Sequence, residues 1–283
     1  MNCSMFEYMC FKNVTGIRLE IIFGLWISLS GVQAAGFEKL PEAATEEAKK
    51  FAAAFDFDTD SCYPSPAISK DGQVNGGLKP TGDIAGECRD KNQLENSNTY
   101  HRKASIKKDG VEYCVHMYSL YFQKDQWAPV SPIPAGHRHD WEFALVWTKN
   151  GELTHASFSG HGGVSTEEKG KLHFDEGKQN TVKIVYHKDG VATHAFRFAK
   201  EDEKGDASAE NDLKRWFTPT IVDWETMKSD TVSNERLRKK FNEHDFDEAN
   251  CSFNDKNFPN EIAQNPPPGY PSGNEWKAAA STK

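Results

Sequence analysis

The residues with the strongest chemical character lie together in the heptapeptide "GHRHDWE" at residues 136–142. Imidazole nitrogens and carboxylate oxygens serve both as metal ligands and as acids and bases, so this spacing permits either a metal site or a catalytic site. The residues that follow, "FALVW", are apolar and predict a β-strand. The strand face on which each polar side chain lies therefore decides what the heptapeptide can do.

The side chains of a β-strand alternate between its two faces. Four large apolar residues fall on one face, which must be buried: Trp141, Phe143, Leu145 and Trp147. Asp140 and Glu142 share the opposite face. Two carboxylates about 7 Å apart on one face repel each other unless a positive charge lies between them. A hard cation such as Ca²⁺ or Mg²⁺, which prefers oxygen ligands, is the simplest source of that charge.

The remaining polar residues of the heptapeptide leave alternatives open. His137 has the wrong parity for an ideal strand, but the irregular "SPIPAG" before it lets the imidazole turn towards the carboxylates. His139 shares the parity of Trp141 and is predicted to be a packed, hydrogen-bonded histidine. Arg138 is an alternative partner that would neutralise the carboxylates without a metal. A zinc hydrolase site is a further alternative, although the sequence has neither H-E-x-x-H nor G-x-S-x-G.

The composition of the chain limits its class. Its 283 residues suit one large domain or two small ones, and 12% aromatic residues are enough to build a core. The net charge of −8 argues against a nucleic-acid partner, which requires a basic surface. Basic residues followed by the apolar run at 21–35 predict a signal peptide over residues 1–35, and hence secretion; an N-terminal membrane anchor is the alternative.

Four cysteines remain after removal of residues 1–35: Cys62, Cys88, Cys114 and Cys251. An even number in a secreted chain predicts two disulfides, but spacing does not choose among the three pairings. The triplet Asn250-Cys251-Ser252 is an acceptor pattern for N-linked glycosylation, which a disulfide at Cys251 would hide.

The rest of the sequence predicts one domain over residues 36–264. Residues 37–55 have the spacing of a short helix, and residues 62–88 form a loop rich in Pro and Gly. From residue 111 onward, short segments of β-branched and aromatic residues alternate with turns, which predicts a mostly β, antiparallel sandwich or barrel. "NERLRKKFNEHDF" predicts a late surface helix, and residues 265–283 a flexible tail.

Several segments together resemble the necrosis- and ethylene-inducing peptide-like proteins, secreted cytolysins of plant-associated microbes. "GHRHDWE" resembles the signature heptapeptide of that family, and "MYSLYFQKD" resembles its aromatic strand with a terminal Lys-Asp. "CYPSPAI", "HASFSGHGG", "THAFRFA" and "FNDKNF" resemble other blocks in the same order. The resemblance extends from about residue 50 to 260 and implies a single-domain antiparallel β-sandwich flanked by short helices, similar to actinoporins.

The resemblance also implies functional residues. The family's Ca²⁺ or Mg²⁺ ligands correspond to Asp125, His137, Asp140 and Glu142. His194 resembles a further functional histidine near the cavity. Together with His139 and Arg138, it is expected to bind the ligand or to support the residues that hold the cation. Cys62–Cys88 matches the disulfide of the family, and Cys114–Cys251 would be the second pair of four-cysteine members.

The function implied by the resemblance is not enzymatic. Such proteins bind the sugar head group of plant glycosylinositol phosphorylceramide sphingolipids, damage the plasma membrane, and are sensed by plant immune receptors; we expect a monomer that acts outside the cell. Two features differ from the family: the linker 126–136 is longer, and the loop before His194 lacks an aromatic residue. These differences keep a non-cytolytic binding protein or immune elicitor as the alternative, and a metal-dependent hydrolase as a third.

Overall fold

A computed structural model describes residues 37–281, so the predicted signal peptide lies outside the described residues. The strands in this range are β1 (Ala54–Phe57), β2 (Gly82–Asp83), β3 (Asn98–Lys108), β4 (Val111–Gln126), β5 (Val130–Ser131), β6 (Gly136–Lys149), β7 (Glu152–Gly160), β8 (Gly163–Glu168), β9 (Lys183–Lys188), β10 (His194–Phe198) and β11 (Thr220–Asp223). The α-helices are α1 (Glu46–Lys50), α2 (Asn234–Glu243), α3 (Phe258–Glu261) and α4 (Gly273–Ser281). None of the helices described is long and apolar enough to cross a bilayer.

Two sheets contain most of the strands. The larger has the order β11-β3-β4-β6-β7-β8, and the smaller has the order β1-β9-β10. Most pairs are antiparallel, but β1 pairs with β9, and β11 with β3, in parallel. The predicted mostly β sandwich is therefore confirmed, with two parallel edge strands that come from distant parts of the chain.

Both faces of the larger sheet are buried. On one face, Trp141 and Trp147 of β6 pack in a cluster with Phe241 of α2 and Trp276 of α4. On the other face, alternate residues of β4 and β6 pack in a second cluster with the smaller sheet: Tyr118, Leu120, Phe122, Ala144 and Val146. The predicted parity of the apolar residues in β6 is thus confirmed, and the helices explain why that face is so strongly aromatic.

The N-terminal helix is much shorter than the predicted range 37–55. Helix α1 begins after Thr45, whose hydroxyl accepts a hydrogen bond from the N–H of Ala48 at 3.1 Å. The chain then leaves the helix, because Phe55 and Phe57 are buried in the cluster between the sheets and β1 pairs with β9. Tertiary packing therefore overrides the helix propensity of the alanine-rich stretch.

The prediction of a flexible tail at residues 265–283 is wrong for the part that the structure describes. The indole of Trp276 in α4 is fully buried and lies 5.5 Å from that of Trp147, centroid to centroid. The ring of Tyr270 also packs against Trp147, at 5.7 Å. The tail is ordered because it covers an aromatic part of the sheet that would otherwise face water.

The cysteines form one disulfide, Cys62–Cys88, which closes the predicted loop. The second predicted pair is wrong, because Cys114 and Cys251 are free. Cys251 packs on the helix-covered face of the larger sheet, whereas Cys114 alternates with Tyr113 and Val115 of that face and so points the other way. Ser252 contacts Ser119 of β4. Ser119 and Cys114 are separated by five residue steps, roughly 17 Å along a strand, which no disulfide spans.

Candidate metal centre

The heptapeptide lies at the start of β6, beside the end of β4. Their antiparallel register places His137 opposite Asp125 and Gly136 opposite Gln126. The long linker 126–136 therefore does not displace Asp125, because β4 and β6 remain paired as far as Gln126 and Gly136. The linker instead projects outward, and its residues Val130–Ser131 pair with Gly82–Asp83.

A local break in β6 brings His137 to the carboxylates. His139 adopts a left-handed conformation with φ of 61°, which interrupts the alternation of side chains between positions 137 and 140. The ring of His139 is held by the hydroxyl of Tyr121, 2.6 Å from its Nδ1, and by edge contact with Phe246. Burial lowers the pKa of His139 to about 4. His139 is thus a packed, neutral histidine, as predicted, and its backbone redirects His137.

Three of the predicted ligands converge. Atoms of Asp125, His137 and Asp140 all lie within 4.8 Å of one another. Ligands of one Ca²⁺ ion, each about 2.3–2.6 Å from it, lie at most roughly 5 Å apart, so the cluster has the dimensions of a cation site. The Nδ1–H of His137 donates to the carbonyl of His139 at 2.7 Å, which leaves Nε2 directed at the cluster, 3.8 Å from Asp125 Oδ2.

Glu142, the fourth predicted ligand, lines the same cavity but lies outside the three-residue cluster. The hydroxyl of Ser159 donates to its Oε2. A carboxylate in this position suits contact with a cation through an intervening water, which Mg²⁺ in particular retains.

Residues of the smaller sheet form hydrogen bonds to two of the predicted ligands. The backbone N–H of His194 donates to Asp125 at 3.0 Å, and its Nδ1 donates to Oδ1 at 2.7 Å. The hydroxyl of Tyr186 donates to Asp140 Oδ2 at 2.8 Å. Hydrogen bonds of this kind fix the orientation of metal ligands. His194 is among the residues predicted from the sequence, but Tyr186 is not, because an aromatic residue in β9 has the same pattern as any core residue.

The charges of the cavity are not balanced by Arg138. Its guanidinium donates to the carbonyls of Gly76 and Gly77 at 2.7 Å and 3.1 Å, away from the carboxylates. Burial, followed by repulsion from Asp125, raises the pKa of Asp140 to about 7. Burial and repulsion from Asp140 raise the pKa of Glu142 well above its usual range. A divalent cation would stabilise both carboxylates in their charged form, so the residues present fit such an ion.

The cluster lines a cavity of about 240 Å³. Its further lining includes His161, Thr193, Glu248, Asn250, Ser252 and Glu261, and the residues described in that lining include neither Lys nor Arg. Asn250 and Glu261 are not predicted from the sequence as cavity residues, because they come from a segment more than a hundred positions after the heptapeptide. The cavity is small and polar, which suits an ion with a compact hydroxylated ligand rather than a large apolar one.

The fold and site define a β-sandwich protein of the toxin-fold class, since solved structures of such toxins superimpose on it. One structure, described as "Toxin fold as basis for microbial attack and plant defense", matches with a TM-score of 0.62 and 28% identity over 82% of this chain and 96% of that chain. A structure of "NLPPya in complex with mannosamine" matches with a TM-score of 0.59, 28% identity, and coverage of 82% and 95%. A structure of the "non-toxic HaNLP3 protein" matches with a TM-score of 0.61, 25% identity, and coverage of 82% and 97%.

Sequence comparison gives the family. Residues 45–265 match the family profile "Necrosis inducing protein (NPP1)", so the chain belongs to the necrosis-inducing protein family. "NLP effector protein 10" of Phytophthora capsici is 31% identical over 210 residues, which cover 72% of this chain and 76% of that protein. "Necrosis-inducing protein NPP1" of Phytophthora nicotianae is 32% identical over 206 residues, which cover 71% and 74%.

Proposed function

We propose that the protein is a secreted cytolytic toxin that binds sugar head groups of plant glycosylinositol phosphorylceramide sphingolipids through a divalent cation and damages the plasma membrane. The observation that carries this proposal is the convergence of Asp125, His137 and Asp140 in the lining of a polar cavity. Ca²⁺ or Mg²⁺ held there would accept hydroxyl oxygens of a sugar as further ligands. The complex of a solved relative with mannosamine supports a sugar as the ligand class.

Apolar side chains around the site support contact with a lipid surface. The most exposed large apolar residues described are Trp127, Val130, Ile133 and Val191, with exposed fractions of 50%, 72%, 68% and 93%. The first three lie in the linker 126–136, directly after Asp125, and Val191 lies in the loop before His194. Because His194 is bonded to Asp125, both loops leave the molecule beside the cluster. Trp127, a residue type that favours the membrane interface, thus supplies the aromatic that the loop before His194 lacks.

The test is leakage of dye from vesicles with and without glycosylinositol phosphorylceramide, in the presence of Ca²⁺ or Mg²⁺. Leakage is expected only with the sphingolipid and the ion, and it should be lost in Asp140→Ala or with chelator. Leakage by Asp140→Ala equal to that of the unchanged protein would contradict the proposal. Infiltration of the unchanged protein and of Asp140→Ala into leaves tests necrosis, which only the unchanged protein should cause. We further propose that the protein acts as a monomer outside the cell.

A non-cytolytic binding protein or immune elicitor is the second candidate. A relative described as non-toxic shares the fold, so the fold alone does not separate the two activities. This candidate predicts sugar binding without leakage, and receptor-dependent immune responses in plants. A metal-dependent hydrolase, the third candidate, predicts inositol phosphate released from the sphingolipid.

A further inference from the structure

The described residues contain a single acceptor pattern for N-linked glycosylation, Asn250-Cys251-Ser252. Asn250 is exposed, whereas Cys251 and Ser252 are buried, with exposed fractions of 3% and 2%. Cys251 is a free thiol, so no disulfide hides the triplet. The side chain of Asn250 is therefore presented at the surface, where an attached glycan can be accommodated.

The position of Asn250 connects the triplet to the cavity. Asn250 lines the same cavity as Asp125, His137 and Asp140. Its neighbours are fixed, because Ala249 and Cys251 both pack in the core, and the amide of Asn257 donates to the carbonyl of Cys251 at 3.0 Å. The hydroxyl of Ser252 lies 2.8 Å from that of Ser119 on β4. A group attached to Asn250 would accordingly remain at the rim of the cavity.

We propose that Asn250 carries an N-linked glycan, and that this glycan restricts access of external sugars to the cavity. The Asn250 Nδ2 forms a bond to C1 of the first sugar of a lipid-diphosphate-linked oligosaccharide. The bond between C1 and the diphosphate oxygen breaks, the lipid diphosphate leaves with the electron pair, and the amide proton passes to a base of the transferase. The inference rests on the proposed secretion and sugar binding, because the transferase acts on chains that enter the secretory pathway.

The burial of Ser252 is compatible with modification. Glycan transfer occurs on the chain as it is translocated, before Ser252 and Ser119 come into contact. After folding, the bulky, hydrated glycan lies beside a cavity of only about 240 Å³. A small ion still reaches Asp125 and Asp140, whereas a sugar on a membrane meets the attached glycan first.

The experiment expresses the full chain in a eukaryotic secretory host and compares four forms: the secreted protein, the same protein after endoglycosidase treatment, Asn250→Gln and Ser252→Thr. Peptide mass spectrometry localises any glycan, calorimetry with CaCl₂ measures ion affinity, and glucosamine titration with vesicle leakage measures access to the cavity. Ser252→Thr is the control for modification alone, because it changes the triplet but retains the acceptor pattern. The endoglycosidase-treated protein is the control for ion and sugar affinity, because its cavity residues are unchanged.

We expect a glycan on Asn250 in the secreted protein and in Ser252→Thr, and none in Asn250→Gln. Removal of the glycan should raise glucosamine affinity roughly tenfold, equivalent to about 1.4 kcal/mol, and leave ion affinity unchanged. An Asn250 peptide without glycan in the secreted protein would overturn the modification, even where sugar binding is intact. Equal glucosamine affinity in all four forms would overturn the proposal that the glycan restricts access to the cavity. Failure of all four forms to bind the sugar would overturn that proposal and would also contradict the proposed function.

Discussion

The Nδ1 of His194 lies 2.7 Å from Oδ1 of Asp125, and the backbone N–H of His194 donates to the same carboxylate. This contact joins the end of β4 in the larger sheet to the start of β10 in the smaller sheet. Burial opposes the positive charge of His194, but its hydrogen bond to Asp125 and the carboxylate of Asp60, 3.9 Å from its Nε2, raise its pKa to about 9. His194 is therefore a cation at neutral pH that both positions Asp125 and holds the two sheets together.

Replacement of His194 by Ala should lower the free energy of unfolding by about 3–5 kcal/mol, the cost of leaving a buried charge without its partner. The measurement is urea unfolding in the presence of chelator. His161→Ala is the control, because its contact with Asp189 is exposed and should contribute less than about 1 kcal/mol. A loss for His194→Ala no larger than for the control would show that the buried pair does not stabilise the fold.

The same pair predicts how stability depends on pH without a divalent ion. The pKa of His194 is raised from 6.5 to about 9, so the folded state binds a proton more tightly than the unfolded chain. Its stabilisation is complete below pH 6.5 and is lost as the pH rises through about 9. Thermal unfolding at pH 6, 7.5 and 9.5 should show this decline, and it should be much smaller in His194→Gln. Parallel curves for the two proteins would contradict the assignment.

Ion affinity should depend on pH through Asp140. Its pKa is raised to about 7 without a bound ion, so protons compete with the ion as the pH falls below that value. Calorimetric titration of CaCl₂ or MgCl₂ should give an affinity that falls up to about tenfold per pH unit between pH 7 and pH 5.

Asp140→Asn is the matched variant for this titration, since it retains the shape of the side chain and an oxygen for Tyr186. It should bind the ion more weakly at neutral pH, and its affinity should fall less steeply with pH than that of the unchanged protein, because protons then compete only for His137 and Glu142. An affinity of the unchanged protein that is constant down to pH 5 would contradict Asp140 as a ligand.

The sequence predicts the apolar half of this site better than the polar half. The parity of Trp141 and Glu142 follows from strand geometry alone and is confirmed in β6. Position 139 is a histidine and not a glycine, so the sequence does not predict its left-handed conformation. Only the irregular stretch before His137 indicated that His137 could turn towards Asp140. Tyr186 reaches Asp140 from another sheet, a relationship that spacing does not reveal.

The prediction of a Cys114–Cys251 disulfide was wrong for a related reason. An even count favours two disulfides, but Cys114 and Cys251 lie on opposite sides of the larger sheet. Strand parity could have assigned Cys114 to the face away from Val115. The sequence offers no comparable information for Cys251, because it follows a loop and belongs to no strand.

The exposed apolar residues of the linker predict a separation of binding from membrane damage. Trp127→Ser and Ile133→Ser alter side chains that are 50% and 68% exposed, so each should change stability by no more than about 0.5 kcal/mol. Sugar and ion affinity should be unchanged, because Asp125 and His137 keep their register. Leakage from sphingolipid vesicles should fall several-fold, since less apolar surface enters the bilayer interface. Val111→Ser, far from the cluster along β4, is the control. Leakage that survives both linker substitutions would mean that the linker does not contact the membrane.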